Sequence, residues 1–455
     1  MAPPLSGRTF LALGEDAGVV YAAGLLRHLG ATITHTVGAG APLAGALADR
    51  PIAVSCPLAT TEPEDEIGAW ARSGAMWLTG EPDGPPLVAP GIPATAARGA
   101  ALVVELLSAC RGRRVRVDGP ALLGERAALT GLCRAGAVSA GSACRLLSTR
   151  DSYIAVNLPR PADLELVPAW LETGADSWTA IAAVCRDRSA ADLVERAALV
   201  GLAITAPPGP DPEPDAQLHA RGQAGWPRPW LVAGGDPTSP PETPLVVDLS
   251  ALWAGPLCGN LLQLAGCRVV KVEAKDRPDG ARFGVPAFFS LLNGAKESAD
   301  LGTLRELLDG ADVVIEASRP RALEQLGIDP ADYPGTVWVS VTGYGRSGPW
   351  RNRPSYGDDA AIAGGLVAGG PVFVADAIAD PLGGLHAAVA ALGGLVGRRA
   401  ALVDVALREV AGCAAGRGLP ARGEAVWDGG DWWIDGHRVA LPTARGPDHG
   451  AAQPS

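Results

Sequence analysis

Long basic runs are missing from this chain of 455 residues, and acidic groups outnumber basic ones, 49 against 38, for a net charge of −11. A binder of nucleic-acid backbone needs a basic stripe, so that class is excluded. Any anionic ligand must be held by local cations against the overall field. Cys-x-x-Cys pairs are missing too. The cysteines Cys56, Cys110, Cys133, Cys144, Cys185, Cys258, Cys267 and Cys413 sit mostly in apolar runs. That placement points to small buried hydrophobes in a reducing cytoplasm, not to a disulfide framework. His28, His35, His219, His386, His437 and His449 show no metal-ligand spacing, so no metal site is expected. No stretch reaches about 18 uninterrupted apolar residues, the length a membrane span requires. The opening MAPPLSGRTFLALGEDAG lacks the basic start, apolar core and cleavage site of a secretory signal. The expectation is a cytoplasmic protein with no nucleic-acid or membrane partner.

Glycine (59) and proline (40) are plentiful, in a background that is 47% hydrophobic and 19% charged, as in folded globular chains. Proline concentrates in residues 205–244, where 11 fall among 40 residues. Such a segment is extended and semi-rigid, and it reads as a linker at 207–243. After it, PLVVDLS reads as a buried parallel strand, LCGNLLQLAG as a helix ending at Gly266, and CRVVKVE as a second strand. Helix and strand continue to alternate through LGTLRELLDG, ADVVIEAS, PRALEQLGI, TVWVSVTGYG, GLHAAVAALGGLVG and ALVDVAL. This pattern predicts an α/β fold, a doubly wound, Rossmann-like large domain with a mostly parallel sheet.

The first half echoes that order. FLALGEDAGVVYAAGLLRHLGATI matches the strand, turn, helix and strand, placing Leu25, Leu26 and Gly30 against Leu261, Leu262 and Gly266. SGAMWLTG, RGAALVVELL and RRVRVD echo AGGLVAGG, GGLHAAVAAL and ALVDV in the same order. The expectation is a diverged tandem duplication. Its parts are a degenerate large-domain half at 1–120, a small α+β domain at 121–206, the linker, a complete large domain at 244–446, and a disordered tail at 447–455. The hairpin STRDSYIAVNL and the helical SAADLVERAALVGLA belong to the small domain. WDGGDWWIDGHRVALP reads as a hairpin or strand packing on the large domain.

Five stretches in order, VVDLSALWAGPLCGNLLQLAGCRVVKVE, ADVVIEASRPRALEQLGI, VSVTGYGRSGPWRNRPSYGDDAAIAGGL, AIADPLGGLHAAVAAL and ALVDVALRE, resemble the family III coenzyme A transferases. That group includes formyl-CoA transferases and 2-methylacyl-CoA racemases. LTGEPDGPP, RVRVDGPALLGERAAL and STRDSYIAV in the first half resemble other parts of the same family. The resemblance implies CoA transfer from an acyl-CoA to a small carboxylic acid. CoA thioesters would be substrates, with no tightly bound cofactor. Family members are interlocked homodimers, so either a homodimer or an intramolecular pseudo-dimer is expected. Other readings are 2-methylacyl-CoA epimerisation, or a non-catalytic CoA-binding partner subunit.

Asp380 matches the family's catalytic aspartate. A carboxylate is already ionised at neutral pH and needs no separate base to attack a thioester. N–H groups near Gly383 and Gly384, expected at the following turn, would stabilise the oxyanion. The first half has Thr95 or Ala94 at the matching place, and no Asp or Glu from Gly84 to Val104. Arg319 matches an arginine that contacts CoA phosphate. Lys271, Lys275 and Arg282 follow the second strand, where the family binds the nucleotide, and Ala274 stands where an arginine is usual. Ala254, Gly255 and Pro256 form the first strand-to-helix turn. Tyr344 and Arg346 lie at a strand's carboxyl end, and Asn293 and Lys296 match a family loop. Tyr356 replaces the histidine with which the racemases move a proton.

Overall fold

The computed structural model describes residues 2–14, 16–36, 65–209, 229–416, 423–446 and 453–454. Its centre is a seven-stranded sheet in the spatial order Glu297–Asp300, Arg268–Glu273, Leu245–Leu249, Val313–Glu316, Val337–Thr342, Arg399–Ala406, Leu231–Pro237. The first six strands run parallel, and the last pairs antiparallel at the edge. Counted along the chain from Leu245, the parallel strands lie in the order 3-2-1-4-5-6, which is the doubly wound Rossmann order. The order reverses between Leu245–Leu249 and Val313–Glu316. Ligands of such sheets bind outside the strand carboxyl ends at this reversal.

Both sheet faces are covered, which is why the strands read as continuous apolar runs. Val246, Val269, Val339 and Val403 face a core containing the helices Ala254–Leu264 and Ala379–Gly397. Val247, Val270, Val314 and Trp338 face Leu304, Leu308 and Leu323 on the other side. The Ala379–Gly397 helix is long and apolar enough to cross a membrane, but it is buried inside the protein.

The first half supplies a parallel strand pair, Thr9–Leu13 and Thr32–Thr36, joined by the helix Ala17–His28, and the helix Pro93–Ala109. Asp16 caps the first of these helices, accepting from the N–H of Gly18 at 2.9 Å. Gly30 and Gly266 end corresponding helices with φ of +93° and +89°. The helix crossings correspond as well. A Cβ on Gly99 would stand 2.9 Å from the Gly18 oxygen and meet Tyr21, whereas one on Gly384 would stand 2.6 Å from the Ala254 oxygen and meet Leu257. Gly18 and Tyr21 align with Ala254 and Leu257 in the register that aligns Gly30 with Gly266.

The two halves do not have separate cores. Leu25, Leu29, Val103 and Leu107 share one apolar cluster with Leu257, Leu385, Val389 and Leu392. Tyr21 reaches across and bonds Nε2 of His386 at 2.9 Å. The small domain has its own core, built on the strands Cys144–Ser148, Tyr153–Asn157 and Ala203–Thr205. Part of the expected linker is sheet instead. Leu231–Pro237 pairs with the Arg399–Ala406 strand, because at an edge proline removes no needed donor. Residues 210–228 of that segment lie outside the described residues. Of the tail, Gln453–Pro454 pairs with Arg113–Arg114, and the rest also lies outside them. The tryptophan-rich segment forms a three-stranded sheet, Ala425–Trp427, Trp432–Ile434 and His437–Arg438.

Candidate active site

Asp380 occupies the first turn of the Ala379–Gly397 helix, where a carboxylate complements the helix dipole. The backbone before it is strained: Ala375 and Ala377 have φ of +55° and +43°, each conformation costing about 1–3 kcal/mol. Two bonds hold it there. The N–H of Ala375 donates to Thr79 Oγ1 of the first half at 2.9 Å, and that of Ala377 to Asp358 Oδ1 at 2.9 Å. A Cβ on Gly357 would stand 2.7 Å from Asp380 Oδ2, so only glycine lets the helix Gly357–Gly364 approach so closely.

Three more carboxylates gather here. Asp358, Asp359 and Asp376 are buried, while Asp380 keeps a partly exposed edge. Asp359 accepts from Asn157 Nδ2 at 2.7 Å, Ser355 Oγ at 2.7 Å and the N–H of Tyr356 at 2.9 Å. Asp376 is gripped by Arg126, whose Nε donates at 2.7 Å and whose second nitrogen completes a fork. The Arg126 guanidinium also lies over the Trp253 ring, 5.3 Å from its centre. Burial pushes Asp380 up to about 7; Arg126 pulls against that, and the other three carboxylates add to the rise. Burial likewise raises Asp358 to about 6 and Asp359 to about 7. At neutral pH Asp380 is therefore poised between its acid and its anion.

A second cluster is cationic. Partial burial depresses Arg319, and Arg321, Arg160 and Arg277 lower it further, so four guanidinium groups influence one another beside Tyr356. Arg319 precedes the helix Pro320–Gln325 and follows the Val313–Glu316 strand, at the order reversal of the sheet. Arg160 comes from the small domain and is partly neutralised by Asp163.

Other residues expected in the site are committed elsewhere. Lys271 is buried, donating to the Ser250 oxygen at 2.8 Å and pairing with Asp279 at 2.9 Å. Lys296 is held by Asp248 at 2.8 Å, and by the Pro256 oxygen and Asn293 at 2.9 Å each. Arg346 pairs with the buried Glu316. Tyr344 is buried against Trp350, under the Arg408 guanidinium, so no face is open for stacking. Gly383 and Gly384 lie inside the helix, which begins at Ala379, earlier than expected. Their N–H groups belong to its ladder, and the glycines serve close packing against Leu407 and the Ala254 backbone. Ala254, Gly255 and Pro256 form the buried first turn of a helix, with Gly255 against Ser250. Arg282 pairs with Glu273 and stacks on Phe289 at 4.1 Å, and exposed Lys275 lies 3.4 Å from Asp300.

His386 is buried, donates from Nδ1 to the Leu382 oxygen at 2.7 Å, and is pushed by burial down to about 4, so it is neutral. Among the described residues no three His, Cys, Asp or Glu side chains are arranged to hold a metal ion. Cavities of about 270 and 730 Å³ open at the other end of the central helix, around Leu395, Arg398 and Pro240, and neither is lined by Asp380.

At the corresponding place in the first half the helix Pro93–Ala109 is capped by a carboxylate from elsewhere. Glu66 accepts from the N–H of Ala94 at 2.9 Å and of Thr95 at 2.8 Å. Burial raises it to about 7. Glu66, Arg126 and Arg160 were not found by sequence reasoning. Each meets its target through the fold, with no local motif to announce it.

Residues 244–415 match the model of CoA-transferase family III. The chain is 33% identical over 212 residues to the probable fatty acyl-CoA transferase Rv3272 of Mycobacterium tuberculosis, covering 38% of this chain and 53% of that protein. It is 32% identical over 182 residues to the succinyl-CoA–D-citramalate CoA-transferase of Chloroflexus aurantiacus, covering 35% of this chain and 45% of that one. A crystal structure of a CAIB/BAIF family protein from Brucella suis aligns with a TM-score of 0.36 at 28% identity, over 39% of this chain and 55% of that one. The chain spans about half the length of these curated relatives.

Proposed function

We propose, from the match of residues 244–415 to the model of CoA-transferase family III, that the protein moves CoA from an acyl-CoA to a free carboxylic acid through Asp380. The observation that carries this reading is the Asp380 carboxylate. It is partly exposed, sits in a helix first turn, and is poised near neutrality inside the family-matched segment. The carboxylate attacks the thioester carbonyl, the carbon–sulfur bond breaks, and CoA leaves as thiolate. An aspartyl–acyl anhydride remains. The thiolate attacks the aspartyl carbonyl of this anhydride, releasing the donor acid and leaving an aspartyl–CoA thioester. The acceptor carboxylate then attacks that thioester, re-forming an anhydride and thiolate. Thiolate attack on the acceptor's carbonyl yields the new acyl-CoA and frees Asp380. Anhydrides hydrolyse, so water must be kept out, and the small domain packed over the Gly357–Gly364 helix supplies that cover.

The arginines around Arg319 suit the other end of the substrate, since guanidinium groups bind phosphate oxygens in pairs. Replacing Arg319 with Ala should raise KM for acyl-CoA about tenfold and leave kcat nearly unchanged. The same variant should treat an acyl-pantetheine thioester, which lacks the nucleotide, as wild type does. A fall in kcat with unchanged KM would remove Arg319 from that role. Epimerisation is disfavoured because His386 is neutral, buried and turned to Tyr21, and Tyr356–Gly357 offers no imidazole. We read the shared helix crossings as a tandem duplication in which the first copy has lost its nucleophile. In that reading the chain is its own pseudo-dimer.

A further inference from the structure

Four carboxylates cannot be packed together without compensation, because each buried charge raises the cost of the next. The groups facing Asp380 come from several elements. Asp358 and Asp359 lie on the helix Gly357–Gly364, and Asp376 on the strained segment before Asp380. The neighbouring helix Leu407–Ala415 carries Arg408 and Glu409, which pair with each other. The helix Ala254–Leu264 carries no charged side chain. His386 on Asp380's own helix is neutral. Among the described residues, the cation that acts on Asp380 is Arg126, from the helix Glu125–Thr130 of the first half. Its neighbour Glu125 is occupied by Arg445 at 2.7 Å.

We infer that Arg126 is a positioning residue of the Asp380 site, delivered by the first half to supply the positive charge that this carboxylate cluster requires. The inference rests on the CoA-transfer reading and deepens it: the degenerate half is a working part of the one site it helps build. Two features support it. Asp376 holds the guanidinium in a two-pronged grip and Trp253 lies under its face, so the charge is fixed in place rather than swinging on a flexible stem. The guanidinium is also felt by Asp358 and Asp380 as well as by Asp376. A bond serving only to tie the halves together would not need to lie among these carboxylates.

The sign of the effect gives the test. Asp380 reacts as the anion, so activity climbs with pH through its pKa. Arg126→Met removes the cation and should move the midpoint of the acidic limb of kcat upward by about one pH unit or more. Activity should then fall about tenfold at pH 6 and little at pH 9. Asp376→Asn removes a neighbouring anion and leaves Arg126 unshared, so it should move the midpoint downward. Arg126→Lys keeps the charge and should restore most of the wild-type midpoint. If Arg126→Met fails to fold, the Asp376→Asn shift still decides. Equal losses at every pH, or shifts of the same sign in Arg126→Met and Asp376→Asn, would overturn the inference. Difference infrared titration of wild type against Asp380→Asn reads the same midpoint without substrate. Failure of wild type to transfer CoA would therefore be distinguishable from failure of Arg126's role.

Discussion

Asp380→Asn should lose CoA transfer by about 10⁴-fold or more, the scale on which removal of a covalent nucleophile acts. The amide keeps the size and shape of the acid but has no anionic oxygen to attack a thioester. The variant should nonetheless fold, and stability separates this loss from general damage. The folded-state pKa of Asp380 is raised to about 7 by burial, whereas in the unfolded chain it lies near the ordinary carboxylate value of about 4. The folded protein therefore holds a proton that the unfolded chain has released. The resulting penalty on folding grows as pH rises from the unfolded value to about 7 and then stays constant. Asn carries no such penalty. Its melting temperature should match wild type near pH 4 and exceed it at pH 8. A variant that loses activity and melts earlier at every pH would show a structural role for Asp380. One that retains transfer would end its assignment as nucleophile.

Removing the first half should have the second large effect. A chain beginning at residue 229 keeps the whole family-matched segment but should show no cooperative unfolding transition. All but three of the 19 residues of the Ala379–Gly397 helix are buried, and the first half covers much of that surface. Leu29 packs at Gly393, Tyr21 bonds His386, and the Pro93–Ala109 helix shares its core. Each large apolar side chain re-exposed costs about 1.5–3 kcal/mol. Several such losses exceed the roughly 5–15 kcal/mol that holds a folded domain together. Differential scanning calorimetry checks this. A soluble fragment with a sharp transition would instead support two independent domains, the organisation the sequence boundaries suggest.

Those boundaries illustrate what a sequence carries and what it hides. The parallel strands were legible because burial on both faces writes them as mostly apolar runs such as LVVDL and VVIE. The echoes between the two halves were read from positions such as Leu25, Leu26 and Gly30 against Leu261, Leu262 and Gly266. Sequence patterning cannot say whether the two halves share one core, and here they do. Lys271 was a candidate because the resembled family binds the nucleotide after the second strand, but it is committed to packing. Its partner is Asp279, eight residues on, buried with it. Tyr344 and Arg346 sat at the correct strand end but point into packing and an ion pair. Asp380 was legible through the motif around it. Arg126 was not, because its partner Asp376 is 250 positions away and only the fold brings them together.

The most direct measurement is covalent trapping. The protein is incubated with an acyl-CoA, quenched with hydroxylamine or borohydride, digested, and mapped by mass spectrometry. An activated carboxyl carbon at Asp380 should be converted to its hydroxamate or alcohol, at one site per chain. The Glu66 peptide should remain unmodified, since its carboxylate is engaged by the N–H groups of Ala94 and Thr95. Modification of Glu66 or another carboxylate, or turnover with Asp380 left unmodified, would contradict the account.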